Sequence, residues 1–433
     1  MLNCNVKKYG AVGDGVTMDT AAIQAAIDEC AAHGGGQVIL QEGSFLCGFI
    51  QMKSGVELHI ERDAVLLGST NPADFPQVES DLWLPQYSPR YNSASFIYGD
   101  HCEDIAITGR GKIDCQGQAF VEPFDWYAEL QKNLKKPGDK TTNTLEADHL
   151  GYLWNYNRHT DAVPPPRVVF FIGCKNVLVE DVTMQNQPAG WGYWITDCEN
   201  VHFHRAQIIA DVDFPNNDGI HINCCRNVTI SDCNVTCGDD AVVRAYSLPM
   251  GRDIPCEKVT VTNCNFTTHA SGVRVGWIGD GTIRNCTFSN LNITESNMGI
   301  NVQLPGGGEV RKTDEGTEKA HFENLSFSNI TMDKVYFQPI RIFVDNCNNM
   351  DVIRNLYFDN IHAFCGQLPE VTGREDIHVQ NIYFTNCHFI QVPYARMGTR
   401  FSDFMAEKNL YQPAPIFQHV DNLVLNNTVF SVL

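Results

Sequence analysis

The sequence repeats itself from about residue 170 to its end, and this repeat restricts the possible folds more than any other feature. Each repeat has a turn followed by a short stretch of alternating apolar and polar residues, as in CKNVLVEDVTMQN, CENVHFHRAQIIA and CRNVTISDCNVTC. Corresponding valines at 177, 201, 228 and 259 are 24, 27 and 31 residues apart, and Ile283 follows Val259 by another 24. Short alternating strands at this period indicate a solenoid in which each coil buries its apolar face against its neighbours.

The residue types of the repeats favour strands over helices. Val, Ile, Thr, Phe and Asn dominate, and no apolar 3.6-residue period persists. Asn tolerates the left-handed backbone of tight turns, and it recurs before or within the predicted strands at positions 176, 200, 227, 263, 285 and 355. The sequence therefore predicts an all-β fold, a single-domain right-handed parallel β-helix that spans residues 1–433.

One helix is predicted near the start, in DTAAIQAAIDECAAHGGG, with Asp19 or Thr20 as its N-cap and Gly34 as its stop. Its apolar stripe comprises Ile23, Ala26, Ile27 and Cys30. A solenoid must cover its open apolar end. We therefore expect this short helix to cap the N-terminal end of the β-helix.

The chain divides into three regions on this basis. Residues of about 1–50 would form the N-terminal cap and the first coils, and residues of about 170–433 would form regular coils. The segment of about 120–166 lacks the repeat and is rich in aromatic residues. A long insertion on a solenoid usually maps to one face, so we expect this segment on the groove side.

Charge and cysteine usage exclude several kinds of partner. The chain has 31 basic and 51 acidic residues, a net charge of −20, which repels nucleic acid and anionic membrane surfaces. Its 17 cysteines recur at similar points of the repeats without paired C-x-x-C spacing, so we expect buried thiols and no metal site. Neither a leader-like segment after Met1 nor a run of about 18 apolar residues is present, which predicts a cytoplasmic protein without a membrane partner.

The stretch DFPNNDGIHINCCRNVTISDCNVTCGDD spans residues 213–240. It contains Asp218 and, about one coil later, the adjacent pair Asp239 and Asp240. Asp218 and Asp240 are 22 residues apart, and strands of successive coils stack at about 4.8 Å. We therefore expect Asp218, Asp239 and Asp240 to crowd one outer face, with His221 beside them. Crowded carboxylates cannot all ionise cheaply, so one would keep a proton as general acid while the others act as bases. The alternative is an aspartate-rich turn with solvated carboxylates.

The pair NNDGI and GDD resembles the signature of glycoside hydrolase family 28, the polygalacturonase family, in which Asn-Thr-Asp-Gly precedes Gly-Asp-Asp. The segments KKYGAVGDGVTMDTAAIQAAID and GRGKIDCQGQAF also resemble that family's opening segments. The resemblance implies that Asp239 protonates the glycosidic oxygen, while Asp218 and Asp240 hold and deprotonate the attacking water. It implies no metal or organic cofactor. It also implies inversion of the anomeric centre, for which acid and base carboxyls should be about 6.5–9.5 Å apart.

The sequence departs from the family pattern after the aspartates. The family's Gly-His-Gly and Arg-Ile-Lys strands correspond here to ASGVRVGW and MGINVQL, so Ser271 replaces the histidine, and Asn301 and Gln303 replace the arginine and lysine. Asn and Gln bind hydroxyl groups but cannot neutralise a carboxylate, although a relocated set of arginines could still hold an anion.

The substrate-binding candidates are therefore outward-facing polar, cationic and aromatic side chains near the aspartates. Sugar rings present an apolar face that Trp and Tyr can cover, so Tyr193 and Trp194 are further candidates for stacking. The main set comprises Trp191, His221, Arg244, His269, Arg274, Trp277, Asn301, Gln303 and Arg341.

These observations predict an inverting glycoside hydrolase. We expect exo action on imported oligosaccharides or small glycosides related to pectin-type glycans, with a sugar specificity altered from that of polygalacturonases. A β-helix polysaccharide lyase is one alternative, which would need a Ca²⁺ cluster or an Arg or Lys base. A non-catalytic glycan-binding β-helix, with the aspartates kept only as architecture, is the other. The carbohydrate is the one expected partner, and the oligomeric state is not predicted.

Overall fold

The computed structural model describes residues 2–82, 93–124, 157–160, 167–188, 190–242, 254–276, 281–304, 312–313, 316–317, 320–344, 350–397, 412 and 414–433. Short strands stack coil upon coil through this chain and form a parallel β-helix. Its two described α-helices are α1 (Thr20–Ala32) and α2 (Tyr394–Met397). Among the described residues, neither helix is long and apolar enough to cross a membrane.

The strands of the N-terminal half are β1 (Leu2–Asn5), β2 (Asp14–Met18), β3 (Gly36–Leu40), β4 (Gly43–Cys47), β5 (Ile50–Gln51), β6 (Val56–Ile60), β7 (Ala64–Gly68), β8 (Ser95–Asp100), β9 (Glu103–Thr108), β10 (Lys112–Asp114), β11 (Val121–Pro123), β12 (Asn157–His159), β13 (Arg167–Ile172), β14 (Lys175–Glu180), β15 (Thr183–Gln185), β16 (Tyr193–Thr196), β17 (Glu199–His204) and β18 (Gln207–Ile209). Those of the C-terminal half are β19 (Ile220–Asn223), β20 (Arg226–Ser231), β21 (Asn234–Cys237), β22 (Cys256–Thr268), β23 (Ser271–Val275), β24 (Thr282–Thr294), β25 (Met298–Leu304), β26 (Lys312–Thr313), β27 (Gly316–Thr317), β28 (Ala320–Val335), β29 (Ile340–Val344), β30 (Met350–Cys365), β31 (Glu370–Thr372), β32 (Val379–Thr385), β33 (His388–Gln391), β34 (Ile416–Gln418), β35 (Val420–Asn426) and β36 (Val429–Val432).

The longest sheet contains the predicted row of valines. Strands β9, β14, β17, β20 and β22 pair in parallel, and their register aligns residues 105, 177, 201, 228 and 259 in one buried row. The predicted equivalence of Val259 and Ile283 is wrong, because Ile283 pairs with Cys256. Strand β22 has several buried positions at similar spacing, so sequence spacing alone could not select the correct one.

A second row of strands carries the candidate site. Strands β5, β8, β13, β16 and β19 form one parallel ladder, and β23, β25, β29, β31 and β34 form another. Val242 joins the two ladders, because it pairs with Ile220 on one side and with Val273 on the other. We call this composite the site sheet. Its strands β13, β16, β19 and β23 are buried on both faces, whereas β3 and β6 of the long sheet alternate. The outer face of the site sheet is therefore shielded from solvent.

The interior of the solenoid is packed as stacked rows. One apolar cluster runs from Cys4 to Phe389. Within it Phe288, Phe327 and Phe358 stack with ring centroids 4.9 and 5.0 Å apart, a distance close to the spacing of paired strands. The 16 described cysteines are free and buried, which confirms the prediction that they serve mainly as small buried residues.

Helix α1 covers the N-terminal end, as predicted. It packs on β1 and β3 and buries the expected stripe of Ile23, Ala26, Ile27 and Cys30. Asp19 precedes the helix, but its carboxylate accepts from the backbone N–H groups of Val12 and Gly13 at 2.7 and 3.0 Å. This buried aspartate therefore ties a loop to the helix start and makes no side-chain cap hydrogen bond.

The predicted insertion of about 120–166 lies mostly outside the described residues. At its edges, β11 pairs antiparallel with β12, so the two ends of the insertion lie side by side. Residues 125–156 and 161–166 are not described, and the prediction that the segment covers the groove stays a prediction.

The recurrent asparagines adopt the left-handed backbone that the sequence predicted. All six predicted positions have φ between 55° and 59°. Their side chains bond from coil to coil: Nδ2 of Asn355 donates to Oδ1 of Asn324 at 2.9 Å, and Nδ2 of Asn381 donates to Oδ1 of Asn355 at 2.9 Å. Each asparagine thus provides both the turn conformation and a link to the neighbouring coil.

We expect Asn355→Ala to lower the free energy of unfolding by about 2 kcal/mol, because it removes two hydrogen bonds and strains a backbone at φ 59°. Asn355→Gly is the matched control, since glycine adopts this φ without strain and should lose only about 1 kcal/mol. Urea titrations of the three proteins measure the difference. Equal stability of the alanine and glycine variants would show that the backbone conformation contributes nothing.

Candidate active site

The two aspartate-bearing coils meet backbone to backbone. The N–H of Gly219 donates to the carbonyl of Asp240 at 3.0 Å, and the N–H of Ile220 donates to the carbonyl of Ala241 at 2.9 Å. A Cβ on Gly219 would lie 2.3 Å from the carbonyl oxygen of Ala241. Glycine is therefore required after Asp218, because a side chain there would push the two coils apart.

The buried side chain of Asn217 also holds the two aspartate-bearing coils together. Oδ1 of Asn217 accepts from the N–H of Gly238 at 2.5 Å, and its Nδ2 donates to the carbonyl of Asp211 at 2.7 Å. A Cβ on Gly238 would lie 2.2 Å from the carbonyl oxygen of Phe214. The second asparagine of NNDG and the glycine of GDD thus hold the turn before Asp218 against the next coil.

The three aspartates converge at this junction. One carboxylate oxygen from each of Asp218, Asp239 and Asp240 lies within 4.8 Å of the others. Asp218 and Asp240 are buried, and Asp239 is half-buried. The predicted separation of about 6.5–9.5 Å refers to whole acid and base carboxyl groups, and the oxygens that face one another are closer than that. Hydrogen bonds between adjacent coils hold the three residues together.

Each carboxylate has a distinct set of partners. Oδ2 of Asp218 lies 2.8 Å from Nε2 of His221. Oδ1 of Asp240 accepts from the backbone N–H of Ser271 at 3.2 Å, and its Oδ2 lies 3.5 Å from Nη1 of Arg274. Asp218 and Asp240 each lie beside a nitrogen-bearing side chain from the site sheet, His221 and Arg274 respectively.

Two neutral donors bind the carboxylate of Asp239. Its Oδ1 accepts from the N–H of Asp240 at 2.9 Å, and its Oδ2 accepts from Nδ2 of Asn216 at 3.2 Å. Beneath it, Sγ of Cys237 lies 3.0 Å from the carbonyl of Asp239. Burial raises the pKa of the Cys237 thiol well above its usual value, and Asp218 adds to the effect. This cysteine is therefore a neutral packing group.

One row of outward side chains crosses the whole site sheet in register. On the N-terminal side the register aligns Tyr98, Phe170, Trp194 and His221. On the C-terminal side it aligns Arg274, Asn301, Arg341 and Glu370. The aspartates thus stand where an aromatic half meets a polar half.

The aromatic half is a closed cluster. Phe170 stacks on Trp194 with centroids 4.3 Å apart, and Trp191 meets Trp194 edge to face at 5.0 Å. Ile254 and Cys224 belong to the same buried cluster, and Val78 and Leu82 pack against it. Trp191 is only 4% exposed. Tyr193 points the other way and packs on Phe203 in the core.

The polar half is also enclosed. Nη2 of Arg274 donates to Oε1 of Gln303, and Nδ2 of Asn301 lies 3.4 Å from Oγ of Ser271. Nε of Arg341 lies 3.9 Å from Oε2 of Glu370. Arg274 and Arg341 are 7% and 6% exposed. Two arginines and two amides therefore line one shielded polar region beside the aspartates.

The structure brings most of the predicted residues together. His221, Arg274, Asn301, Gln303 and Arg341 lie on or beside the row described above. Nδ1 of His269 lies 3.6 Å from Oδ1 of Asp213, in the turn that precedes Asp218. Arg244 and Trp277 lie outside the described residues.

Sequence reasoning missed several residues that shape the site. Nε2 of Gln187 donates to the carbonyl of Asp218 at 2.6 Å, and the guanidinium of Arg167 lies 4.2 Å from the ring centroid of Trp191. Glu370 faces Arg341 from a later coil. Gln187 lies in a turn outside the alternating strands, so no periodic signal identifies it. The register that aligns Glu370 with Arg341 could have been found from the position of EVT one coil after IRIFV.

Two groups of described residues have oxygen or nitrogen atoms close enough together to approach a metal ion. One is the aspartate triad itself, and the other comprises Asp81, Asp100 and His101. In the second group His101 lies 2.5 Å from Asp100 and 3.4 Å from Asp81. The side chains of His101 and Asp81 in this group are largely exposed.

Comparison with known proteins assigns the family. The family model described as glycosyl hydrolases family 28 matches residues 40–388. The chain belongs to glycosyl hydrolases family 28. A second model, described as rhamnogalacturonase A/epimerase, pectate lyase-like, matches residues 3–59. The resemblance predicted from NNDGI and GDD is thereby confirmed.

Curated relatives within this family are distant. A probable polygalacturonase of Vitis vinifera is 26% identical over 320 residues, which cover 70% of this chain and 57% of that protein. An exo-poly-alpha-D-galacturonosidase of Dickeya chrysanthemi is 28% identical over 330 residues, covering 70% and 53%. The matches therefore span little more than half the length of these two relatives.

Solved structures of family members share the fold. An exopolygalacturonase of Thermotoga maritima aligns with a TM-score of 0.71 at 21% identity, covering 99% of this chain and 92% of that one. A family 28 exopolygalacturonase of Yersinia enterocolitica aligns with a TM-score of 0.64 at 18% identity, covering 99% and 75%. The predicted right-handed parallel β-helix with its N-terminal capping helix is confirmed.

Proposed function

We propose that this chain is a glycoside hydrolase that cleaves a pectin-type glycan. The observation that carries the proposal is the convergence of Asp218, Asp239 and Asp240 within 4.8 Å in a family 28 chain. Asp239 is the most exposed of the three carboxyl groups. It can therefore reach the glycosidic oxygen of a bound sugar and protonate it. Proton donation to a leaving group in the transition state typically contributes 10²–10⁴-fold.

Asp218 and Asp240 hold and deprotonate the attacking water. Nε2 of His221 lies 2.8 Å from Asp218, and the guanidinium of Arg274 lies 3.5 Å from Asp240. Oxygens up to 4.8 Å apart can both accept from one water, since each such hydrogen bond is about 2.8 Å long. Negative charge on this pair raises the cost of ionising Asp239, which favours its retention of a proton.

The product anomer is inverted in this mechanism. The water enters from the Asp218 and Asp240 side while Asp239 protonates the departing oxygen, and no carboxylate forms a bond to the sugar. The close spacing of the carboxylates resembles the roughly 5–5.5 Å of retaining enzymes with two carboxyl groups. Inversion is nevertheless expected at this shorter distance, because Asp218 and Asp240 hold the attacking water between them. Asp239, the third carboxyl group, gives its proton to the leaving oxygen.

The substrate carries a carboxylate near the scissile bond. Arg274 lies 3.5 Å from Asp240 and is more than nine-tenths buried, and arginine binds carboxylates through two parallel N–H groups. Arg341, two strands further along the polar half, would bind the carboxylate of a more distant sugar unit. Asn301 and Gln303 beside them suit sugar hydroxyls. The name of the Dickeya relative, exo-poly-alpha-D-galacturonosidase, supports a galacturonate unit.

Cleavage takes place at a chain end. The aromatic cluster of Phe170, Trp191 and Trp194 fills the N-terminal side of the site sheet up to His221. A long glycan has little room on that side, whereas the polar half offers groups that bind sugars. This asymmetry supports exo action on oligosaccharides. The buried free thiols suit a reducing compartment, so cytoplasmic action on imported substrates is part of the proposal.

Incubation with polygalacturonate and with galacturonate oligomers tests the proposal. We expect a single short product from the first minutes, with little fall in the viscosity of the polymer, and NMR should show that product first as the inverted anomer. A ladder of internal fragments would contradict exo action, and a retained anomer would contradict the assigned roles. Ultraviolet absorbance from unsaturated sugars would favour a lyase, and binding without any turnover would favour a glycan-binding protein.

A further inference from the structure

His221 lies behind the catalytic carboxylates and away from solvent. Its Nε2 is 2.8 Å from Oδ2 of Asp218, and the two side chains are 0% and 1% exposed. Asp218 stands in the turn before β19, while His221 is the second residue of that strand. The local chain therefore folds back so that the imidazole supports a carboxylate three residues earlier.

Aromatic side chains fix the orientation of the imidazole ring. The ring centroid of Trp191 lies 4.6 Å from that of His221 at an angle of 57°, and Trp194 is the register neighbour of His221 in β16. The guanidinium of Arg167 lies over Trp191 at 4.2 Å and over Trp194 at 5.4 Å. A ring enclosed in this way has little rotational freedom and presents one nitrogen to Asp218.

His269 does not share this arrangement. It is 13% exposed in its side chain, and its Nδ1 lies 3.6 Å from Asp213. Ser271 reaches Asp240 through its backbone N–H. His221 thus contacts Asp218, whereas His269 contacts Asp213.

We infer that His221 is a positioning residue that donates its Nε2–H to Asp218 and thereby orients this carboxylate toward the attacking water. The inference rests on the proposed function and adds a residue that acts through Asp218 without touching the sugar. It also gives the buried aromatic cluster a role, because the contact with Trp191 restricts rotation of the imidazole beside Asp218.

A pair of amide variants tests which nitrogen matters. Gln can place its Nε2–H near the position of the imidazole Nε2, whereas the shorter Asn places its amide near Nδ1. We expect His221→Gln to keep kcat within about 10-fold of the unmutated protein and His221→Asn to lower it by about 100-fold. KM should stay unchanged in both. Equal losses in the two variants, or a loss confined to KM, would overturn the inference.

His202 provides the matched control. It lies on β17 in the neighbouring coil and is exposed, so His202→Gln should leave kcat unchanged. Melting temperatures of the variants separate a loss of folding from a loss of orientation.

If His221→Asn does not fold, a second experiment introduces His221→Gln into the Asp218→Asn variant. There the glutamine should cause no further loss of kcat, since a residue that acts through Asp218 is non-additive with it. An additive loss would contradict the inference.

A measurement without substrate separates this inference from the proposed function. Nitrogen-15 NMR should show a hydrogen-bonded Nε2–H at His221 that moves upfield in Asp218→Asn. An unchanged resonance would overturn the inference even if the protein hydrolyses glycans. The absence of all hydrolysis by a protein with the expected resonance would instead overturn the proposed function.

Discussion

Asp239→Asn should lower kcat by about 10⁴-fold on natural oligosaccharides, because the amide cannot give a proton to the leaving oxygen. The substitution preserves shape, and the half-buried side chain can keep its contact with the N–H of Asp240. The amide of Asn216, which donates to Oδ2 of Asp239 at 3.2 Å, must rotate to meet the new Nδ2. We therefore expect the fold to survive and the chemistry to fail.

The choice of leaving group identifies the role of Asp239. A galacturonide with an acidic phenol as leaving group needs little protonation, so Asp239→Asn should lose only about 10-fold in kcat on it. Asp240→Asn is the matched control, since loss of a base should cost about the same on both substrates. Equal losses of Asp239→Asn on both substrates would show that Asp239 is not the acid.

The location of the site could be predicted from the sequence because its information is local. Asp218 and Asp240 are separated by about one coil, and the solenoid period converts that separation into proximity. The left-handed asparagines were predictable for the same reason, since each turn depends on a residue type with a known backbone preference. The position of the site and the backbone of the asparagines therefore both followed from the sequence repeat.

The environment of the site was harder to predict because it depends on register and on turns. Alternation predicted that His221 faces outward beside Asp218, but not that loops would bury it completely. The spacing of the carboxylates depended on two glycines, Gly219 and Gly238, that allow backbones to approach closely. Neither the burial of Arg274 nor its proximity to Asp240 follows from sequence spacing, since the coil between them includes a segment without the repeat.

Arg274 should decide whether the enzyme prefers an anionic sugar. We expect Arg274→Met to lower kcat/KM by about 100-fold on galacturonate oligomers and by far less on their methyl esters, because methionine fills similar space without binding a carboxylate. Arg274→Lys should lie between, since it retains the charge and loses the paired N–H groups. Parallel kinetics with acid and ester substrates measure the change in preference.

The contact of Arg274 with Asp240, 3.5 Å away, gives this prediction a second part. If the arginine also holds the Asp240 carboxylate in place, kcat on the methyl esters should fall by a smaller factor that Arg274→Lys largely restores. Arg341→Met is the matched control: register places it two coils beyond Arg274, about 10 Å away. Arg341→Met should therefore raise the KM for longer oligomers and leave the KM for the shortest substrate unchanged. A uniform loss of acid and ester hydrolysis in Arg274→Met, without recovery in Arg274→Lys, would mean that this arginine supports the fold alone and that the substrate carboxylate binds elsewhere.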